Sequence, residues 1–126
     1  MQVRILGCSG GIGDGLRTTS ILIDNDVLID CGSGVGDLTL DELGKIKHIF
    51  LTHGHLDHIA FIPLLLDSVF DDLVSNPITI HLQAETLEML TEHIFNWKIW
   101  PPGCATTRNR PRAIRLDSKP SRTVSI

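Results

Sequence analysis

Cysteine is scarce in this 126-residue chain: Cys8, Cys31 and Cys104 are the only three, and none forms a C-x-x-C pair. An odd, scattered set excludes a disulfide framework and a thiolate zinc site, and reads as reduced thiols. No apolar stretch approaches the roughly 20 residues that cross a bilayer. The opening Met1–Gly7 lacks the basic start, long apolar centre and small-residue cleavage site of a secretory signal. It reads instead as a strand entering a glycine loop. Cytoplasmic placement is the default expectation, and a membrane is not an expected partner. There is no internal repeat.

What is present fits one globular domain: 42% of residues are hydrophobic and 21% charged. The net charge of −4 hides an asymmetry. Residues 1–100 hold five Lys/Arg against fourteen Asp/Glu, whereas residues 101–126 hold six Lys/Arg against Asp117 alone. The two segments therefore carry −9 and +5. Beyond Pro101 proline, arginine, threonine and serine dominate and no helix or strand period survives. The expected division is an ordered unit over 1–100 and a basic, disordered tail over 101–126. The tail arginines could neutralise phosphates, which would make a nucleic-acid-binding module. The tail has no aromatic residue for base stacking and the body is acidic, so nucleic acid is not the expected partner.

Along the body, Gln2–Leu6 alternates polar and apolar residues as a half-buried strand does. Gly7–Gly15 follows as a glycine loop. It lacks the G-x-G-x-x-G spacing and any following Lys-Ser/Thr pair, so it reads as a hairpin loop, not a phosphate cradle. Strands are expected over Thr18–Asp24 and Val27–Ile29, turning at Asn25-Asp26. This antiparallel start differs from the strand–helix–strand opening of a doubly wound fold. A short helix is expected over Asp37–Leu43, capped near Asp37 or Thr39. A strand over Lys47–Thr52 precedes a helix from about His58 to Val69, with Pro63 in its first turn. Asp71–Asn76 is a polar break. Pro77–Leu82 reads as a strand, and Ala84–Phe95 as an amphipathic helix with Leu87, Leu90, Ile94 and Phe95 on one face. Trp97, Ile99 and Trp100 read as a cap on the core.

Chemistry concentrates in six residues that hold four potential ligands: His53, His55, Asp57 and His58. Imidazole and carboxylate together suit Zn²⁺, Fe or Mn. Residues two apart in an extended segment point the same way, so His53 and His55 can converge on one ion at a strand end. A turn into a helix then presents Asp57 and His58 to a second position. Glycine at 54 keeps the loop free of a side chain between two ligands.

Thr52-His53-Gly54-His55-Leu56-Asp57-His58-Ile59 resembles the H-x-H-x-D-H signature of the metallo-β-lactamase-fold hydrolases. Gly7-Cys8-Ser9-Gly10-Gly11, Thr18-Thr19-Ser20 and Leu28-Ile29-Asp30-x-Gly32 look most like the class II 3',5'-cyclic-nucleotide phosphodiesterase branch. Phe61 departs from that branch, which usually has Gly or Ser shortly after the motif. The resemblance covers residues 1–100.

It implies an α/β (α+β) fold: an αββα sandwich of which this chain supplies the N-terminal half, with an antiparallel or mixed sheet and flanking helices. It implies two divalent ions, zinc by preference. His53 and His55 would hold the first, Asp57 and His58 the second. Asp57 would also orient or deprotonate the nucleophilic water, and Asp30 would buttress the site through hydrogen bonds. The implied activity is hydrolysis of a small phosphodiester such as a 3',5'-cyclic nucleotide. The alternatives are another hydrolase of the fold (ribonuclease Z-like or thioesterase) or a non-catalytic fragment with a nucleic-acid-binding tail. Homo-oligomerisation stays open. The family completes its site from further along the chain, where the candidates weighed are His81, His93 and Asp117. His81 reads as strand, His93 as helix and Asp117 as tail. The expectation is a shortened product, out of frame after Pro101, weakly folded and inactive alone.

Overall fold

The structure is a computed structural model that describes residues 1–73, 75–101 and 124–125. Residues 102–123 lie outside the described residues, and with them most of the tail expected to be disordered, Cys104 and Asp117; Val124–Ser125, within that tail, form a strand. Six strands form one mixed sheet whose spatial order follows the chain: β1 (Val3–Gly7), β2 (Ser20–Ile23), β3 (Val27–Ile29), β4 (His48–Phe50), β5 (Thr79–Leu82) and β6 (Val124–Ser125). β1, β2 and β3 form an antiparallel meander. The turn between β2 and β3 is tight because Asp24 takes a positive φ of 50°, a conformation that Asp tolerates better than most side chains. β3, β4 and β5 are parallel, and β6 returns antiparallel on β5.

Parallel neighbours need crossovers, and helices supply them. α1 (Leu40–Gly44) lies between β3 and β4, preceded by a 3₁₀ turn at Ser33–Asp37. Of the two expected caps for α1, Thr39 is the one used: its hydroxyl accepts from Glu42 N–H and the Glu42 carboxylate accepts from Thr39 N–H. α2 (Leu56–Ile59) and α3 (Ile62–Ser68) connect β4 to β5, and α4 (Ala84–His93) follows β5. The single helix expected from His58 to Val69 is thus two. Pro63 has no N–H to give the carbonyl four residues back, so the helix stops and restarts at Ile62, where the first turn requires no such donor. No helix among the described residues is long and apolar enough to cross a membrane.

Register sorts the strand side chains into two faces. Leu22, Leu28, Ile49 and Ile80 are fully buried, and they pack in one core with Leu43, Ile59, Ile62, Leu65, Leu66 and Leu90 from the helices. The opposite face carries Val3, Ile5, Ile21, Ile23, Val27, Ile29 and Phe50, paired row by row across four strands. Val3, Ile5 and Phe50 are 50%, 58% and 41% exposed. The fold is one β-layer with its helices, half of the layered arrangement that the sequence led us to expect. The expected aromatic cap forms only in part. Trp100 packs against the core, but Trp97 and Ile99 stand out in solvent.

Candidate metal centre

Parallel β3 and β4 end side by side, which brings Asp30 next to Leu51-Thr52. The Asp30 amide donates to the Phe50 carbonyl at 2.8 Å. Asp30 then takes φ +59°, which ends the strand and turns its carboxylate inward, where it is 1% exposed. Three donors meet that carboxylate. Thr52 N–H reaches Oδ1 at 2.9 Å, while Thr52 Oγ1–H and His58 Nδ1 reach Oδ2, both at 2.8 Å. His58 is delivered by α2, whose carbonyl end accepts from Cys31 N–H at 2.8 Å. Gly32 makes this joint possible. A Cβ there would stand 2.3 Å from the Asp57 carbonyl and 2.3 Å from Thr18 Oγ1.

The hydrogen bonds fix the ring orientations. A carboxylate surrounded by three donors accepts only, so His58 donates to Asp30 from Nδ1 and turns its Nε2 toward Asp57. Thr52 has one hydroxyl hydrogen and gives it to Asp30. Its oxygen therefore accepts from His53 Nδ1 at 2.9 Å, and His53 also presents Nε2. Asp57 Oδ2 lies 3.3 Å from His58 Nε2. The His53 ring centroid lies 4.1 Å from that of His58 and 4.6 Å from that of His55. His55 sits just before α2, exposed, in extended backbone. The structure thus gathers all four candidate side chains at one end of the parallel strands.

Whether these donors fit divalent ions can be judged on the geometry. A spacing of 3.3 Å between Asp57 Oδ2 and His58 Nε2 is about the edge of a tetrahedron with ligand distances of ~2.0–2.1 Å. The carboxylate behind Nδ1 is the usual arrangement behind a ligating histidine. The donor chemistry and this pair fit. No group of three or more such donors is set around one point among the described residues. Cys31 adds no ligand: it is buried, and burial first, then the Asp30 charge, pushes its thiol pKa far up.

The later histidines lie elsewhere. His81 sits in β5, its Nε2 3.0 Å from His48 Nδ1 and its ring stacked on Phe50. His93 ends α4 with its side chain in solvent beside Glu92. A surface depression lined by Asp24, Asp26, Lys45, Lys47 and Asn76 is at the opposite end of the strands. The carboxyl ends of parallel strands, where the histidines gather, are where open α/β sheets bind ligands. Sequence reasoning missed Thr52, whose signal is a hydroxyl residue at the end of one parallel strand beside an acid at the end of the next. It also missed Met89, which lies against Gly54.

Comparison with known proteins follows the same lines. Residues 13–120 match the metallo-beta-lactamase superfamily. The chain is 30% identical to a probable 3',5'-cyclic-nucleotide phosphodiesterase of Yersinia pestis, over 79% of this chain and 35% of that protein. It is 33% identical to a ribonuclease Z of Methanococcus maripaludis, over 75% of this chain and 32% of that one. The crystal structure of unliganded yeast PDE1 superposes with a TM-score of 0.68 at 21% identity, over 91% of this chain and 49% of that chain, and shows the fold alone. The chain spans about a third of the length of these curated relatives. With the family match extending over most of its length, the chain belongs to the metallo-beta-lactamase superfamily.

Proposed function

We propose that this chain carries the first metal-binding half of a metal-dependent phosphodiester hydrolase. His53 and His55 hold one divalent ion, Asp57 and His58 a second, and zinc is the preferred metal. The observation that carries this reading is the row Asp30–His58–Asp57: a buried carboxylate 2.8 Å from Nδ1 and a second carboxylate 3.3 Å from Nε2 of one imidazole. A histidine held in this way keeps one tautomer and one orientation, as a ligand requires.

Bound divalent ions supply Lewis acidity that lowers the pKa of water and offsets charge on a phosphodiester. The chain's own residues do the rest. Asp30 and Thr52 lock the rings of His58 and His53 with Nε2 outward. Asp57 orients the attacking water and accepts its proton. The substrate we favour is a small cyclic phosphodiester such as a 3',5'-cyclic nucleotide. Relatives bearing that name and the acidic body, −9 over residues 1–100, support it. RNA is the second reading, supported by the similarity to ribonuclease Z. Neither reading asks for a membrane. Turnover needs the further ligands that the resemblance implies, so this chain alone is expected to bind metal without turning substrate over.

Calorimetric titration of the chain with Zn²⁺ tests the ligand set. His58→Ala and Asp57→Asn should each weaken binding at least tenfold, taking about 10–100-fold as the usual cost of disturbing such a shell. Unchanged affinity in both variants overturns the reading. A length-restored protein offered 3',5'-cyclic AMP and a structured RNA decides the substrate.

A further inference from the structure

The loop that carries His53 and His55 is neither helix nor strand, so something outside it must set its path. Gly54 lies between the two histidines, and its missing side chain is occupied. A Cβ at position 54 would stand 2.6 Å from Met89 Sδ, 3.0 Å from Met89 Cε and 3.6 Å from Thr86 Cγ2. Both neighbours come from α4, more than thirty residues later in the chain. On that helix Thr86, Met89 and Leu90 are three and four apart and share one face. Thr86 and Leu90 are 6% and 1% exposed, so this face is anchored in the core. Met89 itself is 40% exposed and lies at the edge of the anchored face.

We propose that Met89 is a positioning residue for the metal-binding loop: its thioether fills the notch at Gly54 and holds His53 and His55 at their spacing. This rests on the ligand assignment above. Methionine suits the task because its unbranched, polarisable end fills irregular gaps. Glycine suits the other half because any side chain there would displace the sulfur. α4 carries no candidate ligand beside the loop, yet by this contact it bears on the centre.

The test is Zn²⁺ titration of the whole chain carrying Met89→Ala, Met89→Leu, Gly54→Ala or His58→Ala, with amide hydrogen exchange over residues 52–56 in the metal-free protein. Met89→Ala should lower Zn²⁺ affinity about tenfold and speed exchange in the loop, since supporting groups around ligands are worth about 10–100-fold. Met89→Leu, close in volume, should restore most of both. Gly54→Ala, which displaces the sulfur from the other side, should reproduce the affinity loss with α4 intact. If His58→Ala weakens binding and Met89→Ala does not, the positioning role is overturned and the ligand assignment stands. Should neither variant change the affinity, the assignment fails and this inference fails with it.

Discussion

Asp30 is the residue on which most of the local order converges. Its backbone ends a strand in a left-handed conformation, and its carboxylate gathers Thr52 and His58. Asp30→Asn is a clean probe because Asn also tolerates that backbone. An amide NH₂ facing Thr52 or His58 puts donor against donor. We expect a loss of about 1–3 kcal/mol in urea unfolding, the usual cost of an unsatisfied buried group. Weaker Zn²⁺ binding should accompany it. Parent-like values in both measurements would refute the arrangement. Cys31 gives a second prediction at this scale. Buried, and with its thiol held far above the ordinary range, it should resist iodoacetamide in the native chain while exposed Cys8 reacts. Peptide mass mapping before and after denaturation reads both sites. The sequence made the four clustered donors legible through their spacing alone. It could not show Thr52 gripping Asp30, because that contact depends on the register of two parallel strands.

At the scale of elements, α1 is only five residues long and owes its position to its ends. Glu42 closes the capping box with Thr39 and also pairs with Arg4 on β1. The hydrogen bond from Arg4 first, then that from the Thr39 backbone, holds the Glu42 pKa below its ordinary 4.5. The folded chain thus keeps this carboxylate ionised further into acid than the unfolded chain does. Its contribution is fully present above that ordinary value and fades as pH falls through the lowered one. Glu42→Gln should therefore melt below the parent at neutral pH, and the gap should close on acidification. A gap independent of pH would contradict the assignment. The joint between β3 and α2 makes a sharper demand. Gly32→Ala would drive a methyl into the Asp57 carbonyl and Thr18, and should cost about 1–3 kcal/mol or more, as overpacking does. Equilibrium denaturation measures it. Strand alternation and the Thr39 signal were readable in the sequence. The break between α2 and α3 was harder to place, since the apolar run continues through Pro63 and only the proline's missing donor divides it.

For the molecule as a whole, the feature that matters is the sheet face turned away from the helices. Val3, Ile5 and Phe50 stand exposed there with Ile21, Ile23, Val27 and Ile29 half-buried beside them. A contiguous apolar patch of this kind drives association in water. The purified chain should bind the dye ANS and sediment as more than a monomer at micromolar concentration. Ile5→Lys should reduce both without lowering the melting temperature, because Ile5 is 58% exposed. A monodisperse, dye-silent parent chain would count against this. The mixed sheet was foreseeable from short strands interrupted by helical periods. Its order was not, because hydrophobic pattern alone does not choose neighbours.

That order bears on how the chain emerges from a ribosome. Each strand from β1 to β5 lies beside the one made just before it, so the sheet can grow by accretion at one rim while translation continues. Asp30 is made more than twenty residues before Thr52 and nearly thirty before His58. For that interval its acid group has neither partner, and the two arrive together on the later histidine segment.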